Sequence, residues 1–209
     1  MQERNKQFWL DLWRRIGARG NAAMVYCDIA EHYAQPQRAY HNLNHIIDCL
    51  NEFKRARYFT LNPDAIEFAI WFHDAVYDAK ARDNEEKSAK FALATIKSIS
   101  LPHKFGDLVR DLILATKHDK IPSEFDAHFI VDIDLCIFGR PENEFNEYEK
   151  QIRKEYEWVE EKEYAKERVA ILNYFTKRSA VYLTRFFNDR YETQARRNIA
   201  RLIKQLSNQ

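Results

Sequence analysis

Glycine and proline are scarce in this chain, four and five residues among 209. Tight turns are therefore few, and the sequence carries no hairpin signal. Cysteine is almost missing too. Cys27, Cys49 and Cys136 are odd in number, far apart and never paired as Cys-x-x-Cys, so neither a disulfide framework nor a zinc ribbon is expected. No apolar run approaches the roughly 18–20 residues of a membrane span. The N-terminus mixes Glu3, Arg4, Lys6, Asp11, Arg14 and Arg15 into its apolar residues and lacks a secretory core. A basic excess is also lacking: 33 Lys and Arg face 32 Asp and Glu, a formal net charge of +1. That balance argues against a binder of nucleic-acid polymers or membrane surfaces, while leaving room for a local basic pocket. There is no Gly-rich phosphate loop, repeat or low-complexity tract. These absences lead us to expect a cytoplasmic protein with reduced thiols.

What is present is a helical period. With 45% hydrophobic residues the chain can build one substantial core, and the expectation is a single all-α domain over 1–209, with C-terminal helices from about 141 as additions. Phe8, Leu12 and Ile16 mark a first helix; Ala22, Tyr26, Ile29 and Tyr33 mark a second, ended by Gln35-Pro36. Leu43, Ile46, Ile47 and Leu50 form a third stripe. Asn62-Pro63 opens a fourth helix, with Ile66, Ile70 and His73 on one face. Asp83 or Asn84 caps a fifth, in which Ala89, Leu93 and Ile96 face inward. Leu108, Leu112 and Ala115 continue the pattern after Pro102, with His118 at the inner edge of the last turn, and Ser123 and Pro141 start further helices. Charges of both signs from Glu147 to Arg168 predict a solvated helix with i,i+4 pairs. Ala195, Ile199, Leu202 and Leu206 close the chain as an amphipathic helix.

Chemistry concentrates in three separated segments. His73-Asp74 ends the apolar run Ala69-Ile70-Trp71-Phe72; upstream stands Tyr40-His41-Asn42-Leu43-Asn44-His45, and downstream Asp132-Ile133-Asp134. Adjacent residues point about 100° apart on a helix, so His73 and Asp74 can share one ion only near the helix end. His41 and His45 lie one turn apart if their helix begins by His41. Burying such imidazoles and carboxylates together costs several kcal/mol for each uncompensated charge; a divalent cation removes that penalty. Mixed N/O ligation of this kind suits Mn, Fe, Co, Ni or Zn, with Mg a further candidate.

The ordered set resembles the HD superfamily of metal-dependent phosphohydrolases. The segments Tyr40-His41-Asn42-x-x-His45, Trp71 to Asp78, Asp83-Asn84-Glu85-Glu86-x-Ser88-Ala89, Ala115-Thr116-Lys117-His118 and Asp132-x-Asp134-Leu135 are similar to a bacterial branch described as predicted metal-dependent HD phosphohydrolases. The likeness runs from about Phe8 to the C-terminal helix and implies an HD-type helical bundle with extra N- and C-terminal helices. It implies His45, His73, Asp74 and Asp134 as metal ligands, with Asp132 the runner-up for the last place. It gives His41 the role of proton donor to the leaving oxygen; on the physics of metal-bound water, Asp74 is expected to orient the attacking water as well as to ligate. The substrate implied is a small phosphorylated metabolite, in the first instance a nucleotide.

Around this set, Arg38 and Arg153 are candidate phosphate clamps, since a guanidinium forks onto phosphate oxygens. Glu86 is placed to hold a ligand imidazole or a water, or else to pair with Lys90. Lys117 and His118 are candidates for substrate phosphate or a second metal, or for the helix dipole. Two alternatives accompany hydrolysis: an HD-fold diiron oxygenase drawing on His103 and His118, and a non-catalytic metal or nucleotide sensor. Oligomeric state is open.

Overall fold

The computed structural model describes residues 2–208, and all regular structure among them is helical. Ten α-helices follow in order: α1 (Gln2–Arg15), α2 (Ala22–Tyr33), α3 (Leu43–Ala56), α4 (Pro63–Phe72), α5 (Asn84–Ser98), α6 (His103–Ala115), α7 (Phe125–Asp134), α8 (Glu142–Glu155), α9 (Glu161–Thr176) and α10 (Arg185–Leu206). Single 3-10 turns, Arg57–Phe59 and Leu135–Gly139, follow α3 and α7. The all-α expectation holds. The chain forms two compact units, Met1–Val131 and Asp132–Gln209, and the division falls inside α7.

In the first unit α4 is the centre. From Ala65 to Phe72 every residue is buried, where only one face, that of Ile66 and Ile70, was expected inside. A helix hidden all round must be apolar all round, and Glu67 is the one acid it buries. Arg15 and Arg57 hold that carboxylate, at 2.5 and 2.6 Å, and Asp64 beside it, at 3.0 and 2.5 Å. Pro63 sits in the first turn of α4, where its missing N–H costs nothing. Asp126 of α7 accepts from the backbone N–H groups of Leu61 and Asn62, both at 2.8 Å, and so fixes the chain entering α4.

The inward stripe of α1 is Asn5, Trp9, Leu12 and Trp13, a different phase from Phe8, Leu12 and Ile16. Trp9 decides it: its ring meets Trp13, Phe68, Trp71 and Phe72 at centroid distances of 5.7–6.2 Å, and large aromatic surfaces dominate such burial. Helix α2 matches its expected stripe, with Tyr26, Ile29 and Tyr33 buried and Asn21 capping Ala23 and Met24 at 3.1 Å.

The second unit corrects the charged stretch. Glu147 to Arg168 is two helices, α8 and α9, broken over residues 156–160. Arg168 is buried, donating to the Tyr148 hydroxyl at 2.9 Å and pairing with Glu149. A periodic run of mixed charge looks solvated in sequence, yet one of its arginines neutralises an acid inside. Ala195, Ile199 and Leu202 of α10 are buried as expected. Gly139 lies so close to α10 that a Cβ would collide with the Tyr191 side chain and the Tyr182 hydroxyl. Asn198 donates to the carbonyls of Phe138 and Arg140, both at 2.8 Å, on the same approach.

Candidate metal centre

His73 is the C-cap of α4 and Asp74 follows it, so both side chains project where the helix ends and the chain turns. That end position is what two adjacent ligands require. His73 Nδ1 donates to the Ile70 carbonyl at 2.9 Å; this fixes the tautomer and leaves Nε2 with its lone pair. His45 comes from the first turn of α3, one residue beyond Asn44, and its ring is buried. Asn42 caps that helix by accepting from Asn44 N at 2.9 Å. His41 therefore stands before α3 and not one helical turn below His45 on the same helix.

Three ligand atoms meet. His45 Nε2 and His73 Nε2 are 3.2 Å apart; Asp74 Oδ2 lies 3.3 Å from His73 Nε2 and 3.5 Å from His45 Nε2. Two imidazole nitrogens and a carboxylate oxygen held this close form a triangle for an electrophile. An ion bonded to each at about 2.1 Å has neighbouring ligands roughly 3.0–3.4 Å apart, and the observed sides fall in or beside that span. The donor set thus fits a divalent metal in spacing and in chemistry. Among the described residues of the first unit, His45, His73 and Asp74 form the group that could hold a metal in this way; Asp134, the expected fourth ligand, is the last residue of α7 and belongs to the second unit. Asp74 is 15% exposed at its side chain. Burial pushes its carboxyl up, but the imidazoles of His73, His41 and His45 outweigh burial and hold it well below the usual carboxylate range.

Asp132, the runner-up, has other work in the second unit. It is fully buried, and its carboxylate accepts from the backbone N–H groups of Leu183 and Thr184 and from the Thr184 hydroxyl, each at 2.7 Å. Thr184 in turn caps α10, accepting from Phe187 N.

No protein-family model, curated protein or solved structure matches this chain. His41 is half-buried and stacks on Tyr77, ring centroids 4.2 Å apart and planes 25° from parallel, while its centroid is 6.0 Å from that of His45. Tyr40 packs against both histidines at 5.1 and 4.8 Å. Cys49, one turn beyond His45, brings its Sγ to 3.7 Å from both ring nitrogens. The segment after Asp74 is stitched to α5: Ser88 Oγ accepts from Val76 N at 3.0 Å and donates to Val76 O at 3.1 Å. Asn84 likewise pairs with Asp78 N and O, both at 3.0 Å.

The expected phosphate-binding residues divide. Arg38 is buried among backbone carbonyls, donating to His41 O at 3.0 Å, Asp74 O at 2.6 Å and Ala75 O at 2.9 Å. That occupation gives Arg38 a main-chain task beside the one expected of it, as a clamp on substrate phosphate. Arg153 lies in the second unit and donates to Tyr156 O at 2.6 Å and Val159 O at 3.0 Å, bracing the turn between α8 and α9. Glu86 and Lys117 are paired with each other, so Lys90 is not the partner of Glu86. Their hydrogen bond lowers the Glu86 carboxyl and raises the Lys117 ammonium. His118 falls beyond α6, which ends at Ala115; it adopts a left-handed backbone, φ 57°, instead of completing a last helical turn. A non-glycine residue there costs about 1–2 kcal/mol.

Tyr77, Tyr40 and Cys49 were not singled out by sequence reasoning. Stacking of Tyr77 on His41 joins positions 36 apart in sequence, and no spacing rule signals it. Cys49 could have been found: it stands at i+4 from His45 on a helix, hence on the same face.

Proposed function

We propose that this protein is a metal-dependent phosphohydrolase acting on a small phosphorylated metabolite, with a nucleotide as the first substrate to try. The observation that carries this is the triangle of His45, His73 and Asp74, three potential ligands with sides of 3.2–3.5 Å at the end of a buried helix. His45, His73, Asp74 and Asp134 would hold the ion. A divalent cation in such a set lowers the pKa of water and neutralises phosphate oxygens. Water adds to phosphorus, the P–O ester bond breaks, and the leaving oxygen takes a proton. His41, held by its stack on Tyr77, is the donor of that proton. Asp74, as a carboxylate beside the ion, would accept a hydrogen bond from the attacking water and orient it. Lys117, partly exposed and paired with Glu86, is a cation for an incoming phosphate to meet.

The diiron alternative has less support. His103, one of the two extra histidines it needs, is 93% exposed at its side chain and paired with Asp107 at 3.0 Å. Metal analysis of the purified protein, then a screen of nucleotides and sugar phosphates with Mn²⁺, tests the proposal. Turnover abolished by Asp74→Asn supports it. Absence of metal uptake, or metal uptake with no hydrolysis of any phosphate ester, refutes it.

A further inference from the structure

Arg38 stands in the connection between α2 and α3, three residues before His41, and is 6% exposed. Its guanidinium is distributed over two stretches of main chain. One terminal nitrogen donates both to His41 O at 3.0 Å and to Asp74 O at 2.6 Å, and the other donates to Ala75 O at 2.9 Å. Nε donates to Gln35 Oε1 at 3.0 Å, which sets the direction of the fork. The flat face lies over Tyr33 at 5.2 Å and over Tyr77, the ring that stacks on His41, at 5.6 Å.

The two stretches are the ones that deliver the ligands. His41 O belongs to the segment that enters α3 and presents His45; Asp74 O and Ala75 O belong to the chain leaving α4 immediately after His73. Carbonyls just past a helix end have no helical partner, and here one buried cation gathers them. The 27 residues between His45 and His73 do not by themselves fix how far His45 sits from His73 and Asp74, although α3 and α4 pack on each other. A side chain bonded to both stretches does constrain it. Farther along the same segment, Ser88 and Asn84 of α5 hold Val76 and Asp78, so the chain leaving α4 is bonded both to Arg38 and to α5.

We infer that Arg38 is a positioning residue of the metal centre: through the carbonyls of His41, Asp74 and Ala75 it sets the spacing of His45 against His73 and Asp74. This rests on the proposed metal site and adds a residue that acts on it through the main chain. Lysine cannot replace it, since an ammonium is a point donor without the planar fork that reaches three acceptors. Groups that orient ligands in this way typically change metal affinity about 10–100-fold when removed.

The test uses Co²⁺ as probe, with affinity by titration calorimetry and coordination geometry from the visible absorption bands. Wild type, Arg38→Ala, Arg38→Lys and Asp126→Asn are compared, each checked for helicity and thermal unfolding. Asp126 anchors Leu61 and Asn62 and serves as a destabilised control away from the ligands. Arg38→Ala and Arg38→Lys should bind Co²⁺ about 10–100-fold more weakly with altered absorption. Non-denaturing guanidinium should restore much of the affinity to Arg38→Ala, and Asp126→Asn should bind like wild type. If Arg38→Ala does not fold, Arg38→Lys carries the comparison. Wild-type affinity and an unchanged spectrum in the folded Arg38 variants would overturn the inference while the metal site stands. A wild type that takes up no Co²⁺ overturns the proposed function and this inference together.

Discussion

Asp132 and Asp134 stand two residues apart at the end of α7, and they should fail in opposite ways. Asp132→Asn keeps the shape and removes the charge. The carboxylate accepts three hydrogen bonds at 2.7 Å in a fully buried place. Bonds to a charged acceptor contribute about 1.5–3 kcal/mol each. An amide still offers one oxygen but turns its NH₂ towards N–H donors. The loss should be about 3–5 kcal/mol, read as unfolding free energy in urea without metal. Co²⁺ stoichiometry of the folded variant should be unchanged. Asp134→Asn should unfold in metal-free urea much as wild type does. It should, however, lose the stabilisation that Co²⁺ gives wild type, about 2.7 kcal/mol at a hundredfold excess over Kd. Urea titrations of both variants with and without Co²⁺ make the comparison. An Asp132→Asn variant as stable as wild type would refute the reasoning, and so would one that lost Co²⁺ while Asp134→Asn retained it.

Three further outcomes are expected. His41→Asn should leave Co²⁺ affinity intact and lower kcat about 10²–10⁴-fold, with less loss on aryl phosphates whose leaving group needs no proton; equal loss on all esters would contradict the donor role. Burial raises the Asp64 carboxyl, but hydrogen bonds from Arg57 and Arg15 outweigh it and lower the value below the ordinary 3.8. Its stabilisation is therefore complete above about pH 4 and disappears as pH falls through the lowered value. The Tm difference between wild type and Asp64→Asn should be constant at neutral pH and shrink in acid, and a gap that widened would reverse the sign. His118→Gly should have a higher Tm than His118→Ala, since both lose the imidazole's contacts and only glycine escapes the left-handed strain of about 1–2 kcal/mol at φ 57°; an alanine variant as stable as the glycine one would contradict the strain.

The parts of the fold set by local chemistry were legible. Asn62-Pro63, Ser123 and Pro141 precede helices, and Gln35-Pro36 follows one, because caps and proline act within a few residues. The phase of α1 was not legible, since Trp9 outweighs Phe8 and Ile16 only through ring contacts with Phe68, Trp71 and Phe72. The same holds for Arg168, whose partner Glu149 sits on another helix. In the site, residue types and order pointed to His45, His73, Asp74 and the Asp132-Ile133-Asp134 segment, and the choice of Asp134 within it came from the resemblance to the HD superfamily. What Arg38 does was hidden because its acceptors are backbone carbonyls, which every residue possesses and no composition distinguishes. His118 was misplaced because α6 stops at Ala115 with no glycine or proline to announce it.

The burial of α4 from Ala65 to Phe72 bears on how the centre is lost. Its amides have no route to solvent by fraying at a surface, so their exchange with deuterium should require the whole first unit to open. His73 and Asp74 hang from that helix. Disassembly of the ligand pair is then the same event as melting of the unit, and a bound ion would report on the unfolding of that unit.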